Sequence, residues 1–264
     1  MRGPMRRGLV LALCLAMWPA LVSAAPPKPQ GALVYSDDFS DPARSGLEDN
    51  VNATDYSRGF HAPGVYHLRL LKSDDTHWSL FPGQTYGSFT FEADVWDNSD
   101  DFAGDVSQGV VVRAVDQSHF YAVLLDSRKG QYAVRKMNGG KWSDLLAWKE
   151  SPLVKQESEV NHIRVDGIGG SFTVYVNGDL LTGFEDGAYA RGGLGLIAGN
   201  VDAAQPHIHF DNVKVYAADQ TAPASSLPGA GKPLEGIPLV LASAALLLLG
   251  TGLWTRRRRP FTGR

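Results

Sequence analysis

The chain is nearly without cysteine. Its single thiol, Cys14, lies in an apolar run near the N-terminus, so everything beyond that run has no disulfide and no thiolate metal ligand available. Outside two terminal apolar segments, no stretch keeps apolar residues at a 3.6-residue period, which excludes helical bundles and alternating βαβ units. No serine sits in a nucleophile elbow and no glycine-rich loop precedes a helix, so triad and nucleotide-binding chemistry lack a motif. Positive charge is also scarce where it would matter. Without three arginines in the first seven residues and five after Trp254, 17 basic residues face 28 acidic ones, a net charge of −11. That balance argues against nucleic acid as a partner and is compatible with bound cations.

The two ends carry the long apolar runs. Residues 1–24 combine Arg2, Arg6 and Arg7 with an apolar stretch and the small-residue sequence Val22-Ser23-Ala24, the three-part pattern of a cleaved secretory signal. Residues 25–32 then form a linker. At the other end, residues 237–254 contain no charge and are just long enough to span a bilayer, with Arg256 to Arg259 in a basic tail, 255–264, on the cytoplasmic side. This predicts an exported chain held at the cell surface by a single membrane pass. Between the domain and the span, residues 218–236 are rich in Pro, Gly and Ser. Within them Leu227-Pro228-Gly229-Ala230-Gly231 resembles the sorting signal of sortase-anchored surface proteins, with Ala230 where that family has threonine. A sorting signal and a plain linker into a membrane anchor both fit.

Between these ends, apolar and polar residues alternate in short runs. "GVYHLRLL", "GSFTFEADVW", "QGVVVRAV", "HFYAVLLD", "QYAVRKM", "HIRVDGI", "SFTVYVNG" and "HIHFDNVKVY" all read as half-buried strands. "NGG" at 138–140, "GIGG" before Ser171 and Asn177-Gly178 supply the positive φ angles of tight hairpins. About a dozen antiparallel strands at this spacing predict an all-β, two-sheet jelly-roll sandwich over residues 33–217, flanked by terminal hydrophobic helices.

"DDFSD", "QGVVVRAVDQSHFYAVLLD", "GQYAVRKMNGGKWSDLLAW", "VNHIRVDGIGGSFTVYVNGDLLTGFEDGAYARGGLGLIAG" and "HFDNVKVY" follow one another in an order that resembles the concanavalin A-like lectin/glucanase superfamily. The likeness is to its laminin-G-like form and extends to 3-keto-disaccharide hydrolase-type domains. It implies a fold shared by sugar-binding modules, adhesion modules and some enzymes. It also implies a structural calcium where first and last strands meet, at Asp38 and Asp211, since hard oxygen ligands suit that ion.

The stretch "SFTFEADVWDN" concentrates the enzymatic question. Alternation puts Phe89, Phe91, Ala93 and Val95 toward a core, and Glu92, Asp94 and Trp96 on the opposite face. Glu92 and Asp94 are thus placed to divide into acid and nucleophile, as glycoside hydrolysis requires. Sandwich glucanases carry E-x-D-x-x-E here, and this chain carries Asp97 in the third position, one methylene shorter. The keto-disaccharide hydrolase pattern has N-S-G before the strand matching "GVVVRA" and glutamates after it, where this chain reads "DVSQG" and "FYAVLLD".

A binding surface would use aromatic rings against sugar faces, with acids, amides and arginine on the hydroxyls. Candidates are Trp78, Trp96, Arg113 and Tyr121, with Tyr86, Trp142 and Trp148 as further aromatics. Each could equally be core. The seven histidines fall on separate strands or loops. His207 and His209 share a face, but the sequence offers no third ligand near them, so it singles out no zinc site. The favoured expectation is a surface-tethered module binding a glycan without chemistry. A glycosidase-type hydrolase and a protein-binding adhesion domain are the alternatives.

Overall fold

The computed structural model describes residues 27–29, 31–61, 64–202, 205–217 and 220–221. The expected signal, sorting motif, membrane span and basic tail lie outside them. Among the described residues no helix is long and apolar enough to cross a membrane.

Strands dominate. From the N-terminus come β1 (Ala32–Asp37), the short helix α1 (Pro42–Ser45), β2 (Val51–Asn52), β3 (Tyr56–His61), β4 (Val65–Leu70) and β5 (Thr76–Leu80). β6 (Thr85–Tyr86), β7 (Phe89–Asp97), β8 (Val106–Asp116), β9 (His119–Asp126), β10 (Gln131–Asn138) and β11 (Lys141–Glu150) follow. β12 (Asn161–Ile168), β13 (Ser171–Val176), β14 (Asp179–Glu185), β15 (Gly193–Asn200), β16 (His207–Ala217) and β17 (Gln220–Thr221) complete the order.

These strands build the antiparallel jelly-roll sandwich that the alternation predicts. A nine-stranded sheet runs β14-β13-β12-β7-β16-β4-β3-β2, with β1 also paired to β16. A six-stranded sheet runs β11-β10-β9-β8-β15-β5, and β6 with β17 forms a small ribbon. The hairpin turns use the residues expected of them: Asn177 has φ 54° and Gly178 φ 90° between β13 and β14.

Between the sheets lies one apolar core. From the nine-stranded side, Phe89, Phe91, Ala93, Val95, Ile163, Val165, Ile208 and Phe210 meet Val110, Val112, Val123, Leu125, Val134 and Leu196 of the other. The six-stranded sheet is apolar on its second face as well. Trp78, Leu80, Val111, Phe120, Ala122, Leu124, Met137 and Ile197 form a separate buried cluster there, with Trp142 packed against it. Alternation requires this split, because Val110 and Val111 or Phe120 and Tyr121 point to opposite faces.

β15 is a core strand with three glycines, which its sequence would not advertise. Close packing of backbones explains them: a Cβ on Gly195 would lie 2.4 Å from the Ser79 carbonyl oxygen, and one on Gly109 of β8 would lie 2.1 Å from that of Val123.

Phe91 sits at 0% exposure in the inter-sheet core, whereas Leu180 on edge strand β14 is 62% exposed. Phe91→Ala is expected to cost about 3–5 kcal/mol of unfolding free energy, and Leu180→Ala less than about 0.5 kcal/mol. Urea denaturation of the two variants checks this contrast.

Candidate functional site

The outward face of the nine-stranded sheet is a continuous polar field laid out by strand register. Opposite Glu92 stand Arg164 of β12 and Lys214 of β16, and opposite Asp94 stand His162 and Asp211. Trp96 faces His209, which in turn faces His67 of β4. The rows therefore read across four strands, and each is fixed by antiparallel pairing with side chains about 5 Å apart.

A bulge in β16 adds one more group. Asn212 and Val213 together oppose Ala93, shifting the register between Asp211 and Lys214. Asn212 takes φ 52°, a left-handed conformation asparagine tolerates. Its Nδ2 donates to Asp94 Oδ2 at 2.9 Å, while Asp94 Oδ1 lies 2.7 Å from His162 Nδ1. Burial alone would raise the Asp94 carboxyl. The contacts with His162 and Asn212 outweigh it and hold Asp94 below the ordinary carboxylate value. Asp211 goes the other way: burial and the negative field of Asp94, Asp38 and Asp37 raise it, against the Asn212 amide.

One row further along, Arg164 makes a two-pronged pair with Asp166, Nε to Oδ1 at 3.0 Å and an Nη to Oδ2 at 2.9 Å. Asp166 also accepts from Thr90 Oγ1 at 2.5 Å, and the Arg164 guanidinium lies 5.3 Å from the Tyr175 ring centre. All three polar residues are buried or nearly so.

Several residues marked from sequence are elsewhere. Asp97 faces inward, at 0% exposure, because β7 has no bulge to break its alternation. Its Oδ2 accepts from Arg128 Nε at 2.8 Å, and Ser99 donates to it from both N and Oγ. Asp97 therefore does not share a face with Glu92 and Asp94. Trp78 is fully buried in the outer cluster of the six-stranded sheet, its Nε1 donating to Gln117 Oε1 at 2.5 Å. Tyr121 is core, its hydroxyl donating to Asp186 Oδ1 at 2.6 Å and accepting from the Tyr189 amide at 3.1 Å.

Arg113 is buried too, where alternation with Val112 and Ala114 predicts exposure. At φ 57° it sits in a register shift between β8 and β9, and the turned backbone sends its side chain across to the other sheet. The guanidinium lies 5.4 Å from both the Phe89 and Phe172 ring centres and donates to the Gly169 carbonyl at 2.9 Å. Of the four ligand-binding candidates, only Trp96 remains on the polar face. Among the further aromatics, Tyr86 is buried, Trp142 packs on Phe120 and Trp148 is exposed on edge strand β11.

Asp38 closes a local turn, accepting from Ser40 N at 3.1 Å and Ser40 Oγ at 2.6 Å. Asp211 accepts from the Asn212 amide at 2.6 Å. A cleft of about 200 Å³ lined by Asp37, Asp38, Arg44, Asn212 and Lys214 lies at this end of β1.

The largest departure from the sequence reading is a histidine cluster. His67 Nδ1 lies 2.8 Å from His207 Nε2, and His209 Nε2 lies 3.2 Å from the same atom. His61, at the exposed end of β3, brings its ring to 3.9 Å from that of His67 and 5.3 Å from that of His207. Burial, followed by the charge of neighbouring groups, holds His67 to about 3 and His207 and His209 to about 4, so the three rings are neutral. The Trp96 ring meets His209 edge to face at 5.3 Å.

No family model matches the chain, and no curated protein matches it. Solved structures with a similar strand arrangement exist. A carbohydrate-binding module from Bacillus subtilis is 18% identical, covering 65% of this chain and 99% of that one, at TM-score 0.49. A Bacillus licheniformis β-glucanase is 14% identical, covering 72% and 99%, at 0.47. A Bacillus subtilis protein of unknown function with a galectin-like fold is 14% identical, covering 71% and 96%, at 0.49. Identities this low concern the fold alone.

His61 and His67 escape a linear reading because β3 and β4 lie some 140 residues from β16. The available signal was alternation in "VYHLRL", which puts His67 on the polar face without saying which strand lies beside it.

The Arg128–Asp97 pair is shielded on both sides, at 3% and 0% side-chain exposure. Arg128→Ala strands a buried carboxylate and is expected to cost about 3–5 kcal/mol, with Glu92→Gln within about 0.5 kcal/mol of the parent. Chemical denaturation of both separates the structural acid from the surface one.

Proposed function

We propose that this chain is an exported, surface-tethered sandwich of the concanavalin A-like kind, holding a glycan or other surface ligand on the outer face of its nine-stranded sheet without chemistry. The observation that carries the reading is the state of the acids. Glycoside hydrolysis needs two carboxyl groups dividing the roles of acid and nucleophile or base. Asp94 is held as a carboxylate by His162 and Asn212, and Asp97 is committed to Arg128 on the inner face. Glu92 is left without an acidic partner suited to that division. The same face offers the half-exposed ring of Trp96, two residues along β7 from Asp94 and opposite His209, a combination able to meet a sugar's apolar face and its hydroxyls.

A glycan array probed with the purified protein tests this. Expected is binding without released product, unchanged by Glu92→Gln and weakened about ten-fold, ~1.4 kcal/mol, by Trp96→Ala. Turnover that disappears in Glu92→Gln would instead establish a hydrolase. An array without ligands would favour the adhesion reading. The surface tether rests on the terminal segments.

A structural calcium between Asp38 and Asp211 is a second proposal. It is supported by the cleft that brings Asp37 and Asp38 beside Asn212, the neighbour of Asp211, and by the negative field of Asp94, Asp38 and Asp37, which adds to burial in raising the Asp211 carboxyl. These residues give only part of the six to eight oxygens calcium takes, and Arg44 and Lys214 line the same cleft. Calcium at ten times its dissociation constant should raise unfolding free energy by about 1.4 kcal/mol, and Asp38→Asn should remove the gain. No change in thermal midpoint with calcium would dismiss it.

A further inference from the structure

The seven histidines divide cleanly by partner. His77, His119 and His162 each face a carboxylate, that of Asp75, Asp116 and Asp94. The other four, His61, His67, His207 and His209, converge on one another instead. We infer that these four form a binding site for a divalent transition-metal ion of the imidazole-preferring class, with zinc as its representative. The inference is independent of the glycan-binding reading.

The nitrogen positions carry it. One ring nitrogen from each of His61, His67 and His207 lies within 4.8 Å of the other two. His209 Nε2 adds a fourth, 3.2 Å from His207 Nε2. His207 Nε2 has either one proton or one lone pair to offer, yet both His67 Nδ1 and His209 Nε2 are aimed at it, the former at 2.8 Å. A single in-plane proton or lone pair on His207 Nε2 can make one well-directed hydrogen bond, so the second contact is left a weaker, shared one. A cation at the centre serves all of them together. Ligand nitrogens about 2.0–2.1 Å from a tetrahedral zinc stand about 3.3 Å apart, close to the 2.8 and 3.2 Å that separate the His67–His207 and His207–His209 nitrogens, and His61 brings a nitrogen within 4.8 Å of those of His67 and His207.

The donor set selects the ion. Imidazoles suit zinc, copper and nickel, whereas calcium and magnesium require oxygen. The scaffold is rigid, because three ligands sit on paired strands: His67 faces His209 across β4 and β16, and His207 lies two residues from His209 on the same face. The His207 amide donates to Ser99 Oγ at 3.0 Å, which fixes the start of β16. Access is from the rim. His61 is exposed, while His67 and His209 are buried to 9% and 7% exposure, so the ion would be shielded beneath and reachable from one side. Nearby charge is mixed. Arg69, opposite His207, opposes a cation, and the Asp97 carboxylate favours one near His209.

The test uses the full chain, purified without a histidine tag, stripped with chelator and titrated with zinc chloride by calorimetry. Expected is about one zinc per chain, with affinity reduced about ten-fold or more in His67→Ala and in His61→Ala, and unaltered in His119→Ala. Copper, added in place of zinc, should quench Trp96 through its contact with His209, and the loss of quenching in Trp96→Phe would locate the ion. If His67→Ala fails to fold, exposed His61 and the Trp96 signal decide. Absence of stoichiometric zinc, or zinc binding that both histidine variants leave intact, would overturn the proposal.

Discussion

The register of β16 against its neighbours is the constraint on which the rest of the molecule depends. Along its first half β16 pairs with β4, along its second half with β1, and along its length with β7. A slip of one residue would turn Ile208, Phe210, Val213 and Val215 out of the core and put His209 and Asp211 into it. The inter-sheet core therefore locks the polar face as firmly as it locks itself. The bulge at Asn212 sits inside this pairing and is stabilised by it, since Val213 regains the inward face immediately after it.

Two kinds of polar chemistry result, and burial separates them. Two ion pairs lie inside the sandwich or close under its surface, Arg128 with Asp97 and Arg164 with Asp166. Such pairs are expensive to break because the surviving partner stays desolvated, so they hold conformation and leave little capacity for proton transfer. On the outer face Asp94 is restrained by His162 and Asn212, while Glu92 stands between Arg164 and Lys214. The face is thus organised around hydrogen bonding: even the two acids whose proton affinities diverge, Asp94 and Asp211, both accept from Asn212.

The sequence reading offered both an acidic motif, set beside that of sandwich glucanases, and a surface of aromatics and arginine. The acid motif divides because Asp97 obeys plain alternation in a strand without a bulge. Arg113 disobeys it because its strand does contain an irregularity, and a single left-handed residue reverses the direction of the side chain. Trp78 is lost from the surface for a different reason: the six-stranded sheet is apolar on both faces, so pointing away from the inter-sheet core does not mean pointing to water. Each case turns on one local backbone event or one neighbouring strand, and neither leaves a mark in residue spacing.

By itself the sequence determined the all-β class, most of the central strands, their hairpin turns, and which face of β7 carries Glu92, Asp94 and Trp96. Those features follow from two-residue periodicity and turn chemistry, which act between residues near in sequence. Short or glycine-rich strands such as β3, β5 and β15 escaped it, because their stability comes from neighbours and backbone contact rather than from propensity. Only the tertiary structure decided which strands lie side by side, and so that His61 and His67 meet His207 and His209, that Asn212 reaches Asp94, and that Asp97 belongs to Arg128. Those contacts join residues up to about 150 positions apart, and strand order, not local preference, brings them together.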